Sequence, residues 1–383
     1  MLSSVIAHGH DTVTLEQAIG LLALSGDLAM HQPLGQSDRT ARLVAQAARR
    51  AGGDSAACAQ ATMVARLRQS GRPASASVAS ALQDAVAAEV AGALAAAMGL
   101  PAALESSLRQ PFDDPAPGLA GLEDDDSVPA PVAFLPASVS LALVADAVEL
   151  KLPWLAGHSR RVAVLAQRAA GLLELAEAQA RLLVRAALLH SLGRVAIENA
   201  IWETPRRLAG AERDALLGAP YATARAAGRI AGLEPDAQLA ARAFMRPSVD
   251  DEVDMVQRVL AAAVVRVALC APRPWRPPYT AAAAGALLDA QAAGGRLDRD
   301  AVRAVNMAAA QERAMPAAPG CPLSARELEV LRRISLGQRQ REVARALRLS
   351  TGAVRVHAAL ALEKLGCATR PAATLRALSR SWV

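Results

Sequence analysis

The chain has 383 residues, with 42 Lys+Arg against 36 Asp+Glu and a formal charge of +6. That length predicts two or three domains with a core of real size, and 53 % apolar content excludes wholesale disorder. Aromatics make up only 2 % and Ala roughly a quarter, which excludes an all-β protein and predicts an all-α one, because Ala favours helices while aromatic and β-branched residues favour strands.

The charge is uneven. Residues 321–383 hold twelve basic and four acidic residues (Glu327, Glu329, Glu342, Glu363), a net of +8, and the remaining 320 residues carry −2. A basic terminal module on a near-neutral body predicts an electrostatic partner for that module, nucleic acid before others. Cys58, Cys270, Cys321 and Cys367 lie far apart without a C-x-x-C pair, so the expectation is reduced thiols and a cytoplasmic setting. Met1 to Asp11 contain no Lys or Arg and no long apolar run, which predicts no signal peptide. The apolar stretches 132–148 and 259–271 are interrupted by Pro136 and Asp146 and by Arg266, so no membrane partner is expected. No Gly-rich phosphate loop, dinucleotide fingerprint or nucleophile elbow occurs, and no cofactor is expected.

In chain order, a first helical lobe over 1–149 comes before a second over 150–314. His8, His10 and His31 have no ligand-like partners, and the His-x-His near the start reads as solvated. Residues 111–136 are rich in Pro, Gly and Asp and read as a loop between lobes. Asp146, alone in an apolar run, reads as a helix-surface residue. Residues 162–173 put Val162, Leu165, Ala166, Ala169, Leu172 and Leu173 on one helical stripe. Gly35, Ser37, Arg39, Ala41, Leu43, Ala47 and Ala48 recur at an offset of 122 as Gly157, Ser159, Arg161, Ala163, Leu165, Ala169 and Ala170, and Gly71-Arg72 recurs as Gly193-Arg194. The constant offset predicts two related lobes, shared Ala-rich composition being the alternative. Pro316, Pro319, Gly320 and Pro322 mark an interdomain linker over 315–322.

The terminal module over 321–383 reads as four helices. Ser324 and Glu327 form a capping box before Leu328, Leu331, Ile334 and Leu336, and Gly337 ends that helix. A short helix runs from Arg339 to Leu347 with Val343, Ala344 and Leu347 inward, and Ser350 caps a third whose apolar positions include Val354, Leu360, Leu362 and Leu365. A fourth follows Pro371. Two short helices joined by a tight turn make a helix-turn-helix.

The pattern L-S-x-R-E-x-E-V-L, then G, E-V-A-x-x-L-x-L-S, V-R-V-H and K-L-G, running from Leu323 to Gly366, resembles the LuxR-type (NarL/FixJ-like) DNA-binding domain. The resemblance implies that the helix from Thr351 enters the major groove of double-stranded DNA. Arg355 and Val356 would then face base edges, and Arg341, Thr351 and His357 the phosphates. Arg339 and Lys364 would add less specific charge. His357 has a structural hydrogen-bonding role as its alternative, and an exposed basic face without a partner is the alternative for Arg339 and Arg341. Ala353 and Ala359 depart from the family, which has Thr and a basic or polar residue there, and both bear on sequence preference. A homodimer is expected, because helix-turn-helix proteins read paired half-sites.

Gly157-His158-Ser159, Leu189-His190-Ser191-Leu192-Gly193-Arg194, Asn199 to Pro205, Ala219-Pro220-Tyr221, Arg273-Pro274-Trp275-Arg276 and Gly295 to Asp298 resemble in order the landmarks of HD-GYP metal phosphohydrolases. That chemistry needs several His and Asp converging on metal ions that activate a water. His158 and His190 match the first two His positions. The family's other ligands fall on Ser191, Ala219, Ala243, Phe244, Met245 and Val264. The expectation is therefore no metal and no catalytic residue, with His158 and His190 as relics satisfied by hydrogen bonds. The first lobe is more degenerate still, with Gln36 and Arg68 at the repeat positions of those His residues, and its opening, from Leu21 to Leu34, resembles the start of LuxR-type regulators with HD-like sensory halves.

Three readings of the whole stand side by side. The first is a transcription regulator with an inactive HD-type sensory or dimerisation body that answers to an unidentified small molecule or protein. The second is a metal-dependent HD-type phosphohydrolase coupled to DNA binding. The third is a pseudoenzyme receptor for a cyclic dinucleotide, motivated by Arg194, Arg242 and Arg246 near the old site.

Overall fold

The computed structural model describes residues 9–76, 82–110, 138–206, 208–244, 254–311 and 320–383. Most of the segment read as an interlobe loop and much of the linker therefore lie outside the described residues. Helices dominate, as the composition predicts. A two-stranded antiparallel ribbon pairs β1 (Thr12–Thr14) with β2 (Ser138–Ser140), Val13 opposite Val139. Each strand leads straight into a helix, capped by Thr14 in one case and Ser140 in the other.

After β1 the first lobe runs through α1 (Leu15–Ala29), α2 (Gln36–Arg50), α3 (Ser55–Leu67), α4 (Arg72–Ser75), α5 (Gln83–Ala97) and α6 (Ala102–Arg109). After β2 the second runs through α7 (Leu141–Glu149), a 3-10 turn (Pro153–Leu155), α8 (His158–Leu172), α9 (Glu177–Leu189), a second 3-10 turn (Leu192–Ala196), α10 (Asn199–Trp202), α11 (Gly210–Ala227) and α12 (Glu234–Arg242). Both bounds of α8 and α9 lie 122 residues after those of α2 and α3, so the repeat is structural. Its second copy begins at β2, ahead of the division expected at 149/150, because α7 repeats α1. Gly35 and Gly157 enter α2 and α8 with φ of 94° and 69°, a left-handed conformation that suits glycine. Asp27 accepts from the Ser37 N–H at 3.0 Å, and its repeat partner Glu149 accepts from the Ser159 N–H at 2.7 Å. In each lobe a buried carboxylate thus satisfies a donor at the start of the next helix.

The lobes pack reciprocally. α1 lies against the second 3-10 turn and α11 of the other lobe, and α7 lies against α4 and α5. Leu21, Leu22, Leu67, Leu94, Leu141, Leu183 and Leu188 are fully buried in the shared core. Among the described residues, the second lobe alone carries three further helices, α13 (Met255–Cys270), α14 (Ala281–Ala293) and α15 (Arg299–Ala310). Of these, α13 packs on α8 and α9, and α15 packs on α8.

Two sequence expectations change here. Asp146 is fully buried, and both its oxygens accept from Arg160 at 2.6–2.9 Å, because α7 is covered on both sides by the lobes it joins. His10 is also buried, and its Nε2 meets Glu177 Oε1 at 2.5 Å. No described helix is long and apolar enough to cross a membrane.

The terminal module is α16 (Ala325–Ser335), α17 (Gln340–Leu347), α18 (Thr351–Lys364) and α19 (Arg370–Ser379). The Ser324 capping box opens α16. α19 buries Ala372, Ala373, Leu375, Ala377 and Leu378, and packs on α5 and α7 of the body. Gly337, leaving α16 at φ 78°, stands beside Pro153, with 3.2 Å between that side chain and the Cβ a larger residue would have.

Candidate functional site

In the terminal module, Val343 and Ala344 of α17 and Val354 of α18 are buried together and hold the two helices of the helix-turn-helix. Arg348 takes the left-handed conformation at φ 55° to turn the chain between them. Ser350 Oγ accepts from the Ala353 N–H at 3.0 Å and starts α18. Only Val354 and Ala361 of α18 are buried, which leaves the rest of the helix at or near the surface. Thr351, Arg355, Arg339 and Arg341 are exposed, as is Val356 at 56 %, an apolar side chain held in water on a helix flanked by guanidinium groups. His357 is half-buried, and its Nδ1 has no hydrogen-bond partner. Lys364, expected to add less specific charge, is paired within the module. Its Nζ donates to both carboxylate oxygens of Glu327 at 2.8–2.9 Å and ties α18 to α16.

In the second lobe, His158 begins α8 and His190 closes α9, their rings 5.4 Å apart. His190 Nδ1 lies 2.6 Å from the Ala187 carbonyl, so that nitrogen carries the hydrogen, and Nε2 faces Ser191 Oγ at 3.4 Å. His158 corrects the expectation of a satisfied relic. It is fully buried and neither ring nitrogen has a partner among the described residues. Burial, and then Arg194, pushes His190 down to about 3. Burial, then His190 and Arg194, holds His158 well below the usual imidazole range. Both rings are neutral at neutral pH.

Guanidinium groups and aromatic rings surround this pair. Arg194 lies over Trp202 at 5.3 Å and Phe244 at 5.2 Å, and Phe244 stands 5.7 Å from the His190 ring. Arg273 lies over Trp154 at 4.6 Å. Burial lowers Arg194 to about 10, and burial with repulsion from Arg194 lowers Arg273 to about 9. Glu149, one of whose oxygens serves the Ser159 N–H, is pushed up by burial to about 7, and its other oxygen has no partner. Arg273 Nη1 and Trp154 Nε1 are likewise buried without partners. Arg242 is exposed and takes no part in this cluster, and Arg246 lies outside the described residues.

The donor set of the described residues does not fit a divalent metal. A hard cation needs oxygen donors or several imidazoles, and no group of three His, Cys, Asp or Glu able to hold one occurs among the described residues. Ser191 stands at the position that in the family supplies a carboxylate beside the second His. Ala219 and Ala243 are buried stubs, Val264 is core, and Phe244 has replaced a ligand with a ring against His190. Glu149 and Trp154 belong to no quoted motif, and the sequence reading missed them. In the first lobe the same structural position, at Gln36 and Arg68, opens into a cavity of about 670 Å³ that Gln69 and Arg72 also line.

These two sites define a DNA-reading helical module on an HD-like helical body. Residues 321–377 match GerE, the bacterial regulatory proteins of the luxR family, and form a LuxR-type helix-turn-helix domain. The body resembles the HD-GYP cGAMP phosphodiesterases in sequence and structure. The 3'3'-cGAMP-specific phosphodiesterase 3 of Vibrio cholerae serotype O1 is 33 % identical over 141 residues, which is 34 % of this chain and 30 % of that protein. The crystal structure of a cyclic GMP-AMP-specific phosphodiesterase of V. cholerae superposes with a TM-score of 0.52 at 16 % identity, covering 79 % of this chain and 99 % of that one. That likeness establishes the fold. The chain spans less than a third of the curated relative's length.

Proposed function

We propose that the protein is a transcription regulator: a homodimer that reads double-stranded DNA through its LuxR-type domain, under the control of an HD-type body that no longer hydrolyses phosphoesters. The observation that carries the loss of catalysis is the donor set around His158 and His190. Among the described residues, the two buried neutral imidazoles beside Arg194 and Arg273 have no carboxylates grouped with them that would hold a metal and activate its water. The reading face is Arg355 and Val356 towards base edges, with Arg339, Arg341, Thr351 and His357 on the phosphate side. Its support is the exposure of Thr351, Arg355 and Val356 on α18 and of Arg339 and Arg341 at the start of α17, with His357 half-buried beside them.

The test has two arms. The purified chain with added Mn(II) should show no turnover of bis-p-nitrophenyl phosphate or of 3'3'-cGAMP, and turnover abolished by His190→Ala overturns the loss of catalysis. In gel-shift titrations on a site found by genome-wide mapping, Arg355→Ala should weaken cognate binding by about 1–3 kcal/mol. Arg341→Ala should weaken all sequences alike and lower the salt slope by about one. Unchanged binding in both variants removes the assignment of faces.

A second reading concerns what the body receives. The orphaned nitrogens of His158, the buried Nη1 of Arg273 and the crowding of Arg194 and Arg273 are what an anion between aromatic rings would relieve. Since the V. cholerae relative is named for 3'3'-cGAMP, we infer that a cyclic dinucleotide is the ligand to try first. Calorimetry should show binding that Arg194→Ala abolishes, and no heat with any cyclic dinucleotide removes this reading.

A further inference from the structure

A different cavity, of about 450 Å³, lies where the second lobe meets the DNA-reading domain. Its size is that of small-molecule sites. One wall is the face of α8 formed by Arg161, Val164, Leu165 and Arg168, spaced i, i+3, i+4 and i+7 so that all four project the same way. The opposite wall comes from the end of α13, with Arg266, Val267 and Cys270. Tyr279 closes one side and Leu336, the residue that ends α16, closes another. The DNA-reading domain thus supplies part of the lining.

The chemistry of the lining is one-sided. Among the described residues it holds three guanidinium groups, from Arg161, Arg168 and Arg266, and no carboxylate. Arg266 is only 7 % exposed; its Nη1 donates to the Ala281 carbonyl at 2.7 Å, and its Nε is buried without a partner. A buried charged donor left unmatched is costly unless something completes it. Val164, Leu165, Val267, Pro272 and Leu336 make the rest of the surface apolar. The Tyr279 ring, held by the Arg276 guanidinium at 4.8 Å, is a flat wall.

We propose that this cavity binds a small organic anion: a phosphate or carboxylate group set among the guanidiniums, on a compact apolar body that fills the space between Val164, Val267, Tyr279 and Leu336. An inorganic ion would satisfy the charge and leave the apolar half empty, whereas a neutral apolar ligand would leave the buried Nε of Arg266 unmatched. The site is distinct from the cluster around His158. Arg168, Arg266, Tyr279 and Leu336 belong to this cavity, while Arg194, Trp202 and Phe244 belong to the other.

Calorimetric titration of the full chain with phenyl phosphate, benzoate and inorganic phosphate tests the proposal. Phenyl phosphate or benzoate should bind one to one, at least tenfold more tightly than inorganic phosphate, and the better of the two identifies the head group. Arg168→Gln, a half-buried position at the edge of the cavity, should weaken that binding about tenfold, and Arg266→Gln at least as much. Arg194→Ala should leave it unchanged, so failure of the cyclic-dinucleotide reading and failure of this one are separable. The proposal is overturned if neither aryl anion binds, if inorganic phosphate binds as well as they do, if Arg168→Gln binds like the parent, or if Arg194→Ala removes binding.

Discussion

Lys151, one of two lysines in a chain that otherwise uses arginine, is 5 % exposed and donates from Nζ to the Val195 carbonyl at 2.8 Å. Burial lowers its ammonium from 10.5 to about 8, against a smaller opposing pull from Glu198. Between those values the unfolded chain keeps a proton that the folded chain has released, so folding stability rises with pH through that window. Below about pH 8 both states are charged and the folded state bears the whole desolvation cost. Lys151→Met keeps the stem and removes the titration. The slope of stability against pH between about 8 and 10.5 should fall by up to one proton, about 1.4 kcal/mol per pH unit, in urea unfolding followed across that range. An unchanged slope would mean that the amine keeps its ordinary pKa. Glu149 also shows why some of the site stayed hidden. His158, His190 and Arg194 stood in ordered motifs with ligand-type side chains, and could be found. A charged residue at the end of an apolar run looks like a helix surface until a second layer covers it, and the same misreading put Asp146 outside. Phe244 could be named as a missing ligand, but that its ring would pack against His190 depends on how α12 is placed.

At the scale of elements, the duplicated pair α2–α3 and α8–α9 keeps its spacing to the residue, and the glycines that follow keep a close approach. A Cβ on Gly71 would overlap the carbonyl of Ala87, and one on Gly193 would overlap that of Ala219, so α5 and α11 cross their lobes at equivalent points in backbone contact. Backbone cannot step aside as a long side chain can, so Gly193→Ala and Gly71→Ala should each destabilise the fold by about 2–3 kcal/mol or more, read from denaturant midpoints. Gly171→Ala, where nothing lies within 4 Å of the added carbon, is the control and should be neutral or stabilising. Equal midpoints for Gly193→Ala and Gly171→Ala would show that α11 sits further off. The repeat was legible because glycine, serine and arginine returned at a constant offset. The helices outside that stretch have drifted in length: α1 has 15 residues where α7 has 9, so the start of the second copy at β2 could not be read from the same comparison.

At the scale of the whole molecule, the DNA-reading domain is not a bead on a string. α19 lies on α5 and α7, the Ala368 N–H donates to Glu89 Oε1 at 3.3 Å, and Glu89 in turn pairs with Arg109 of the first lobe. The second lobe packs its own α13 on α8 and α9 and its α15 on α8, while α19 of the DNA-reading domain packs on α5 of the first lobe. This docking leaves the other side of the domain free. Arg355 and Val356 point to solvent while Leu375 and Leu378 are buried, so the same module can brace the body and present its basic face. Ending the chain at residue 320 strips the apolar face of α5 and α7 of its cover. The shortened body should unfold at least about 3 °C below the full chain in calorimetry, since each kcal/mol shifts a body of this size by roughly 1.5 °C. Glu89→Ala in the full chain removes only the polar contacts and should cost less than half of that. If the shortened body melts with the parent, α19 contributes nothing to the lobes, and the net charge of +8 on residues 321–383 sits on a module held only by its linker.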